Sequence, residues 1–248
     1  MDKKGKSALR RGRPREFEPD EALDAAMRVF WTRGYEATTM AELVESLGLN
    51  RASLYGAFGD KEELFLKVLE RYGEKFSSRP ISALAEYDDA FEAVWRFLER
   101  TAEHLTDTRL PRGCLFANTI IESPNGSAPI TRVVAAGVSG LEAALYEVLR
   151  RAQAAGYISP DADMRALARF FAGVAQGMAL MAKVTADPSL VFDIARTAMR
   201  AWPHSPSAAD AEMRLAGGID QVESRGKGKK APARAAVSGC HQTRPRGV

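Results

Sequence analysis

The amino-acid sequence predicts an all-α fold, and three observations carry that expectation. Apolar residues recur every three or four positions from about residue 20 to about residue 202, strand-like alternation is scarce, and helix start and stop signals bracket the periodic segments. With 248 residues, 46% of them hydrophobic and 27% charged, the chain is long enough to bury a substantial core as one large domain or two small ones.

The first helix opens near Pro19, whose missing N–H is harmless in a first turn. It sets Leu23, Ala26, Met27, Phe30 and Trp31 on one face before Gly34 ends it. Thr39 followed by Glu42 is a capping-box pattern that opens a short helix through Leu47, and Gly48 closes it. Asn50 caps a second short helix, Arg51 to about Phe58. Asp60 with Glu63 repeats the box and starts a longer helix bearing Leu64, Phe65, Val68, Leu69 and Tyr72. Ser77, Ser78, Arg79 and Pro80 then interrupt the periodicity, which suggests a boundary between residues 17–76 and 77–202.

Longer helices follow. One carries Phe91, Val94, Trp95 and Leu98, a shorter one surrounds Cys114 to Ile121, and a long one runs from about Ile130 to Ala155. Met164, Leu167, Phe171, Val174, Met178 and Met181 form a narrow seam with steps of three and four, suited to packing helix on helix. The last helix, about Ser189 to Trp202, bears Val191, Ile194, Ala198 and Met199. From Pro203 onward, Gly, Ala, Ser, Pro and basic residues dominate, so residues 203–248 are expected to be a disordered basic tail, as residues 1–16 are expected to be a flexible basic arm.

The net charge of +3 is unevenly spread. Residues 1–16 hold seven Lys/Arg against Asp2 and Glu16, and residues 203–248 hold eight against four acids, so the body between them is net −6. Such a body repels a polyanion over most of its surface, and any nucleic-acid contact must be local and oriented. The basic N-terminus lacks the apolar stretch of a secretory signal, and no run of about 18 apolar residues occurs, which makes cytoplasm the expected compartment. Cys114 and Cys240 lack paired spacing, so neither a metal nor a disulfide framework is expected. No phosphate loop, nucleophile elbow, HExxH or paired metal-ligand spacing is present, and three histidines leave little general-base chemistry, so the chain is not expected to be an enzyme or to hold a cofactor.

The segment Thr39 to Tyr55 reads as helix, glycine-containing turn, helix. Ala41, Leu43, Val44 and Leu47 bury the first helix, while Leu49 and Leu54 anchor the second. Arg51, Ala52, Ser53, Tyr55 and Gly56 then project, small or hydrogen-bonding, as an element entering a major groove requires. The cap at Asn50 leaves a positive helix end near phosphate. Arg51 has the donor geometry for a guanine edge, whereas Ser53 discriminates less.

Residues 17–72 resemble the DNA-binding domain of the tetracycline-repressor (TetR) family of bacterial regulators. The resemblance lies in Ala26-Met27-Arg28-Val29-Phe30, Gly34-Tyr35, Thr38-Thr39 and Ser53-Leu54-Tyr55, followed by Phe58-Gly59-Asp60-Lys61-Glu62-Glu63-Leu64. It implies an N-terminal three-helix helix-turn-helix domain and a C-terminal helical effector and dimerisation domain. It also implies phosphate contacts from Tyr55 and Lys61, with help from Thr39. The chain departs from the family pattern at Ala57, where histidine is frequent, and at Gly56, which replaces a bulkier neighbour.

The resemblance further implies a homodimer joined through the last two helices, about 160–185 and 189–202. The apolar seam agrees, giving Met164, Leu167, Phe171, Val174, Met178, Met181, Ile194 and Ala198 as expected interface residues. Two recognition helices about 34–36 Å apart would face a pseudo-palindromic operator. Arg13 and Arg15 of the arm are candidates for an adjacent minor groove, with a solvated charge run as the alternative. Phe91, Trp95, Cys114, Phe116, Ile120, Tyr146 and Met178 are candidates for lining an apolar cavity for a small-molecule effector, each also readable as core. Cys114 near Arg112 at a helix start is either a reactive thiol or a small buried residue. His104 is either a ligand contact or a surface histidine, and Asp88, Asp89 and Glu92 are either a cation site or a solvated face.

Overall fold

The computed structural model describes residues 17–122 and 126–203. The expected arm with Arg13 and Arg15, and the expected tail with Cys240, lie outside the described residues apart from Pro203. The described chain is all-helical: α1 (Pro19–Arg33), α2 (Met40–Leu47), α3 (Arg51–Phe58), α4 (Lys61–Tyr72), a π turn (Gly73–Ser77), α5 (Ser78–Glu86), α6 (Ala90–Thr106), α7 (Leu115–Glu122), α8 (Ala128–Ala154), α9 (Met164–Val184) and α10 (Pro188–Met199).

The capping chemistry written in the sequence forms. The Thr39 hydroxyl accepts from the Glu42 amide at 3.2 Å, while Glu42 Oε2 accepts from the Thr39 amide at 2.8 Å. Asp60 and Glu63 repeat the exchange at 2.9 and 3.0 Å at the start of α4. Asn50 Oδ1 accepts from the Ser53 amide at 2.8 Å, and Gly48 ends α2 with φ of 64°. Each cap satisfies an amide that the helix cannot, which fixes the starts of α2, α3 and α4 within a residue.

The expected interruption at Ser77 to Pro80 is not a break. Gly73 keeps right-handed helical backbone, the chain passes through the π turn, and α5 begins directly with Pro80 in its first turn. A π turn adds a residue to the repeat and rotates the apolar face, so a continuous helical path reads as lost periodicity. Pro80 adds to the impression of a stop although a first turn tolerates it.

One core joins α1 to α4. Phe30 and Phe65 meet with centroids 4.8 Å apart, Trp31 meets Tyr72 edge-on at 4.9 Å, and Leu43, Leu54 and Leu64 close the cluster. Arg71 Nε binds Asp24 Oδ1 at 2.5 Å, with Lys75 on the same carboxylate and Asp20 3.2 Å from Arg71 Nη1. Leu115, Ile130 and Val134 belong to the same cluster, so α7 and α8 share the core of α4. Buried Val94 and Leu98 of α6, Leu145 and Leu149 of α8, Phe171 and Met178 of α9, and Ala195 of α10 supply the rest of the apolar interior.

Although no run of 18 apolar residues exists, α8 and α9 each contain an 18-residue window of mean hydropathy 1.2 and are long enough to cross a bilayer by length and composition alone. Here α8 packs through Leu141, Leu145, Val148 and Leu149, and α9 through Ala168, Phe171, Ala175 and Met178.

Candidate nucleic-acid interface

The short helix α3 is held from one side only. Leu54 is fully buried and Phe58 nearly so, and Lys67 Nζ on α4 donates to the Phe58 carbonyl at 3.0 Å, satisfying a C-terminal acceptor of α3. Opposite these anchors, Asn50, Arg51, Ala52, Tyr55 and Gly56 are exposed and Ser53 is half-buried. A Cβ at Gly56 would meet nothing within 4 Å, so this face is open rather than packed. α3 carries no acidic residue, and its N-terminal amides add positive potential to Arg51.

Arg51 does not hang free. Its guanidinium lies 5.4 Å from the Tyr55 ring centroid, and Nη2 donates to the Tyr55 hydroxyl at 3.4 Å. One turn of helix thus presents a cation and a phenol as a paired surface. Asn50 Oδ1 is occupied by the cap, which leaves its amide N–H groups for another partner. Thr39 is exposed at the start of α2 while its hydroxyl donates to Glu42 Oε2 at 3.0 Å. Lys61, at the start of α4, is half-buried; its ammonium sits 4.3 Å from the Tyr35 ring centroid and 3.5 Å from the Glu36 carbonyl. Burial first, and then the nearby carboxylates of Glu62, Glu36 and Asp60, push the Tyr35 phenol up, so the ring beneath Lys61 is neutral. The structure therefore brings Asn50, Arg51, Ala52, Ser53, Tyr55 and Gly56 together on α3, with Thr39 and Lys61 at the starts of the flanking helices. Lys67, which holds α3 to α4, was not legible, because only the fold sets a lysine nine residues on against the Phe58 carbonyl.

A cavity of about 440 Å³ opens between α4, the π turn, α5, α6, α7, α8 and α9. Of the seven residues expected to line it, Cys114 and Phe116 do. The other five do not. Phe91 packs against Trp202 with centroids 5.4 Å apart, Trp95 and Met178 are buried away from it, Ile120 is 45% exposed, and Tyr146 lies under the Arg165 guanidinium at 5.0 Å. Helical periodicity marks the inward side of a helix but does not tell which inward positions meet a neighbour and which meet empty space. Tyr72, Phe76, Gln176 and the glycines of α8 were missed, whereas His104, a candidate ligand contact, does line the cavity. Two glycines inside one long helix, Gly137 and Gly140, were the available signal, since each costs helix stability for no turn.

Tyr72, fully inside, shares a hydrogen bond of 3.3 Å with His104 Nε2, and Cys114 lies beside the phenol; burial and then that thiol push the Tyr72 hydroxyl far up. His104 is half-buried against Trp31 and Phe76, and burial pushes its imidazole down, so it is a cavity residue rather than a surface one. The acidic trio is largely committed. Asp89 caps α6 through the Glu92 amide, Glu92 pairs with Arg96, and no metal-binding cluster exists among the described residues.

Half of the seam expected to join two subunits is used within one. Met164, Phe171, Met178 and Ala198 are buried inside the chain, while Leu167, Val174, Met181 and Ile194 are half-buried. A three-four alternation identifies an apolar stripe, not which partner covers it. The face left open is turned by a fraction of a helical turn: Phe170, Leu180 and Val184 of α9 are exposed, and Phe170 and Val174 border a groove with Leu190 and Ile194 of α10.

An N-capped helix standing clear of a buried scaffold, in an all-helical chain with a cavity behind it, defines a helix-turn-helix DNA-binding regulator. The profile described as bacterial regulatory proteins, tetR family, matches residues 22–68, and that described as tetracyclin repressor-like, C-terminal domain, matches residues 90–199. The HTH-type transcriptional repressor ComR of Escherichia coli is 36% identical over 194 residues, covering 78% of this chain and 92% of that one. The HTH-type transcriptional regulator YezE of Bacillus subtilis is 32% identical over 183 residues, covering 73% and 94%. A cysteine mutant of the TetR family regulator CifR, complexed with 26-base-pair operator DNA, matches with a TM-score of 0.72 and 34% identity over 77% of this chain and 100% of that one. The chain belongs to the TetR family: it is a DNA-binding transcriptional regulator and not an enzyme.

Proposed function

We propose that the protein is a homodimeric repressor that binds a pseudo-palindromic operator in the cytoplasm and is released by a small molecule entering the 440 Å³ cavity. The observation that carries this reading is the exposed, acid-free face of α3 backed by a cavity that touches α4. Thr39, Asn50, Arg51, Ala52, Ser53, Tyr55, Gly56 and Lys61 form the DNA surface, with Arg51 reading a base edge and Tyr55 and Lys61 contacting phosphate. ComR is a repressor by name and CifR is seen on operator DNA, which supports both halves of the assignment. The open face of α9 and α10 joins the two copies.

The ligand acts by binding the conformation that does not fit the operator, because only differential affinity moves an equilibrium. α4 is the lever. Its Lys61 end faces the DNA surface and its Tyr72 end lines the cavity. The cavity favours this reading over a DNA-binding scaffold without effector. A second reading, an electrophile sensor acting through Cys114, is favoured by the thiol's place on the cavity wall beside Tyr72.

Selection of bound DNA from a random pool tests the proposal. An inverted repeat with half-sites one helical turn apart is expected, and recovery of single half-sites only would overturn the dimeric reading. On the selected operator, Arg51→Ala should cost about 1–3 kcal/mol and relax preference at one base pair. Lys61→Ala should weaken all sequences alike and flatten the salt dependence. A thermal-shift screen of electrophiles repeated on Cys114→Ser separates cavity binding from thiol chemistry.

A further inference from the structure

We infer that the cavity takes an uncharged, flat, aromatic ligand carrying one hydrogen-bonding group, which docks at the Tyr72–His104 pair. This rests on the regulator reading above and names the chemistry of its effector.

Among the described residues no Asp, Glu, Lys or Arg side chain lines the cavity, so a carboxylate or ammonium carried inside would lose its hydration with no opposite charge to meet. His104 does not supply that charge, since burial favours its neutral ring. One wall is aromatic. Phe76 faces the His104 ring with centroids 5.5 Å apart and planes 32° apart, and Phe116 meets Tyr72 edge-on at 5.3 Å. One patch, from α8 and α9, is smooth. Ala136, Gly137 and Gly140 of α8 and Ala175 and Ala179 of α9 present little beyond backbone. Rings on one side and this smooth patch on another, with Pro80, Ile81, Leu105, Val138 and Leu141 as aliphatic surround, suit a planar molecule that stacks.

The glycines make the argument specific. A Cβ at Gly137 would lie 4.0 Å from the Phe116 ring, ordinary contact, and one at Gly140 would meet nothing within 4 Å. Neither has positive φ. Packing does not demand glycine there, and a helix interior disfavours it, so the two positions keep space open. The volume falls in the range of small-molecule sites, about 300–1,000 Å³. On the aromatic side, Tyr72 Oη and His104 Nε2 together can donate to or accept from one hydroxyl, amine or carbonyl group.

Two dyes that differ by one sulfonate test the inference on the full chain. N-phenyl-1-naphthylamine is neutral and has one N–H; 1-anilinonaphthalene-8-sulfonate is its anionic counterpart. Fluorescence titration should give one saturable site per chain for the neutral dye, with at least tenfold weaker binding of the sulfonate. Gly137→Leu and Gly140→Leu should each weaken the neutral dye at least tenfold while keeping a cooperative thermal melt. Equal or tighter binding of the sulfonate, no binding of the neutral dye, or neutral-dye binding unchanged in both leucine variants overturns the inference. Mobility shift of the selected operator by the same wild-type preparation separates the two readings. Intact operator binding with a failed dye result sinks the ligand class alone, whereas loss of operator binding sinks the regulator reading and leaves the dye result standing.

Discussion

On either side of the recognition helix, Gly34, Gly48 and Gly59 stand where the chain turns; along α8, glycines stand inside a helix. Gly34 has φ of 88° and closes α1, whereas Gly137 and Gly140 sit in helical backbone facing the cavity. The first kind shapes the path of the backbone and the second shapes a void. The DNA-reading region is accordingly a solid, with Leu43, Leu54, Leu64, Phe65, Val68 and Leu69 all fully buried. The region behind it is a shell around 440 Å³. A reader must hold its side chains still, while a sensor of the kind proposed above needs space whose filling moves a neighbouring helix.

Filling or emptying the solid region should therefore be costly. Leu54→Ala removes the anchor of α3 and should destabilise by about 2–5 kcal/mol, with loss of operator binding before loss of helical circular dichroism. A variant that melts like the parent would mean that α3 is not held by this core. Gly34→Ala should come next, at about 1–3 kcal/mol, from the backbone conformation alone. A Cβ there would also lie 1.9 Å from Glu122 Oε2, and Glu122 is held by Lys183 at 3.0 Å. Glu122 is flexible enough to move, so Glu122→Ala should recover part of the loss in a double-mutant cycle. No recovery would show that backbone strain accounts for it all.

The two regions also differ in how much the sequence revealed. Thr39/Glu42, Asn50 and Asp60/Glu63 are local signals, each complete within four residues, and the helices that they start form with those bonds. The exposed face of α3 was legible for the same reason, since the apolar Leu49 and Leu54 mark which side is inward. The cavity was not, because Tyr72, His104, Cys114 and Gly137 are brought together by four separate segments. α5 was missed because the π turn shifts its phase. Of the expected subunit seam, Phe171 and Met178, indistinguishable in pattern from Val174 and Met181, pack into their own chain.

Acid should separate the regions on the pH scale. Hydrogen bonds from Arg71, outweighing burial, and from Lys75 hold the Asp24 carboxyl at about 2, below its ordinary 3.8. Its contribution is present above the unfolded value and lost as pH falls through the folded one. With a third of the side chain exposed, about 1 kcal/mol should disappear between pH 4 and 2 and be absent in Asp24→Asn. His104 acts in a higher window. Burial lowers its folded pKa below the ordinary 6.5, so stability is full above 6.5 and declines below it as the unfolded chain alone takes up the proton. The melting temperature should fall between pH 7.5 and 5.5 in the parent and fall less in His104→Phe. An identical slope in both would place the titrating group elsewhere.

The smallest effect carries the opposite sign. Gly140→Ala replaces a helix-interior glycine whose Cβ meets nothing within 4 Å, so it should stabilise the fold by about 0.5–1 kcal/mol, through lower backbone entropy in the unfolded chain and no new clash. Gly34→Ala, the same chemical change, should do the reverse because its φ of 88° is one that alanine rarely adopts. Thermal or urea melts of the two variants side by side read the contrast directly. If Gly140→Ala also destabilised, α8 would depend on glycine for its packing rather than for the space it leaves. The cavity would then be a consequence of how α8 packs, not the reason for a glycine at that position.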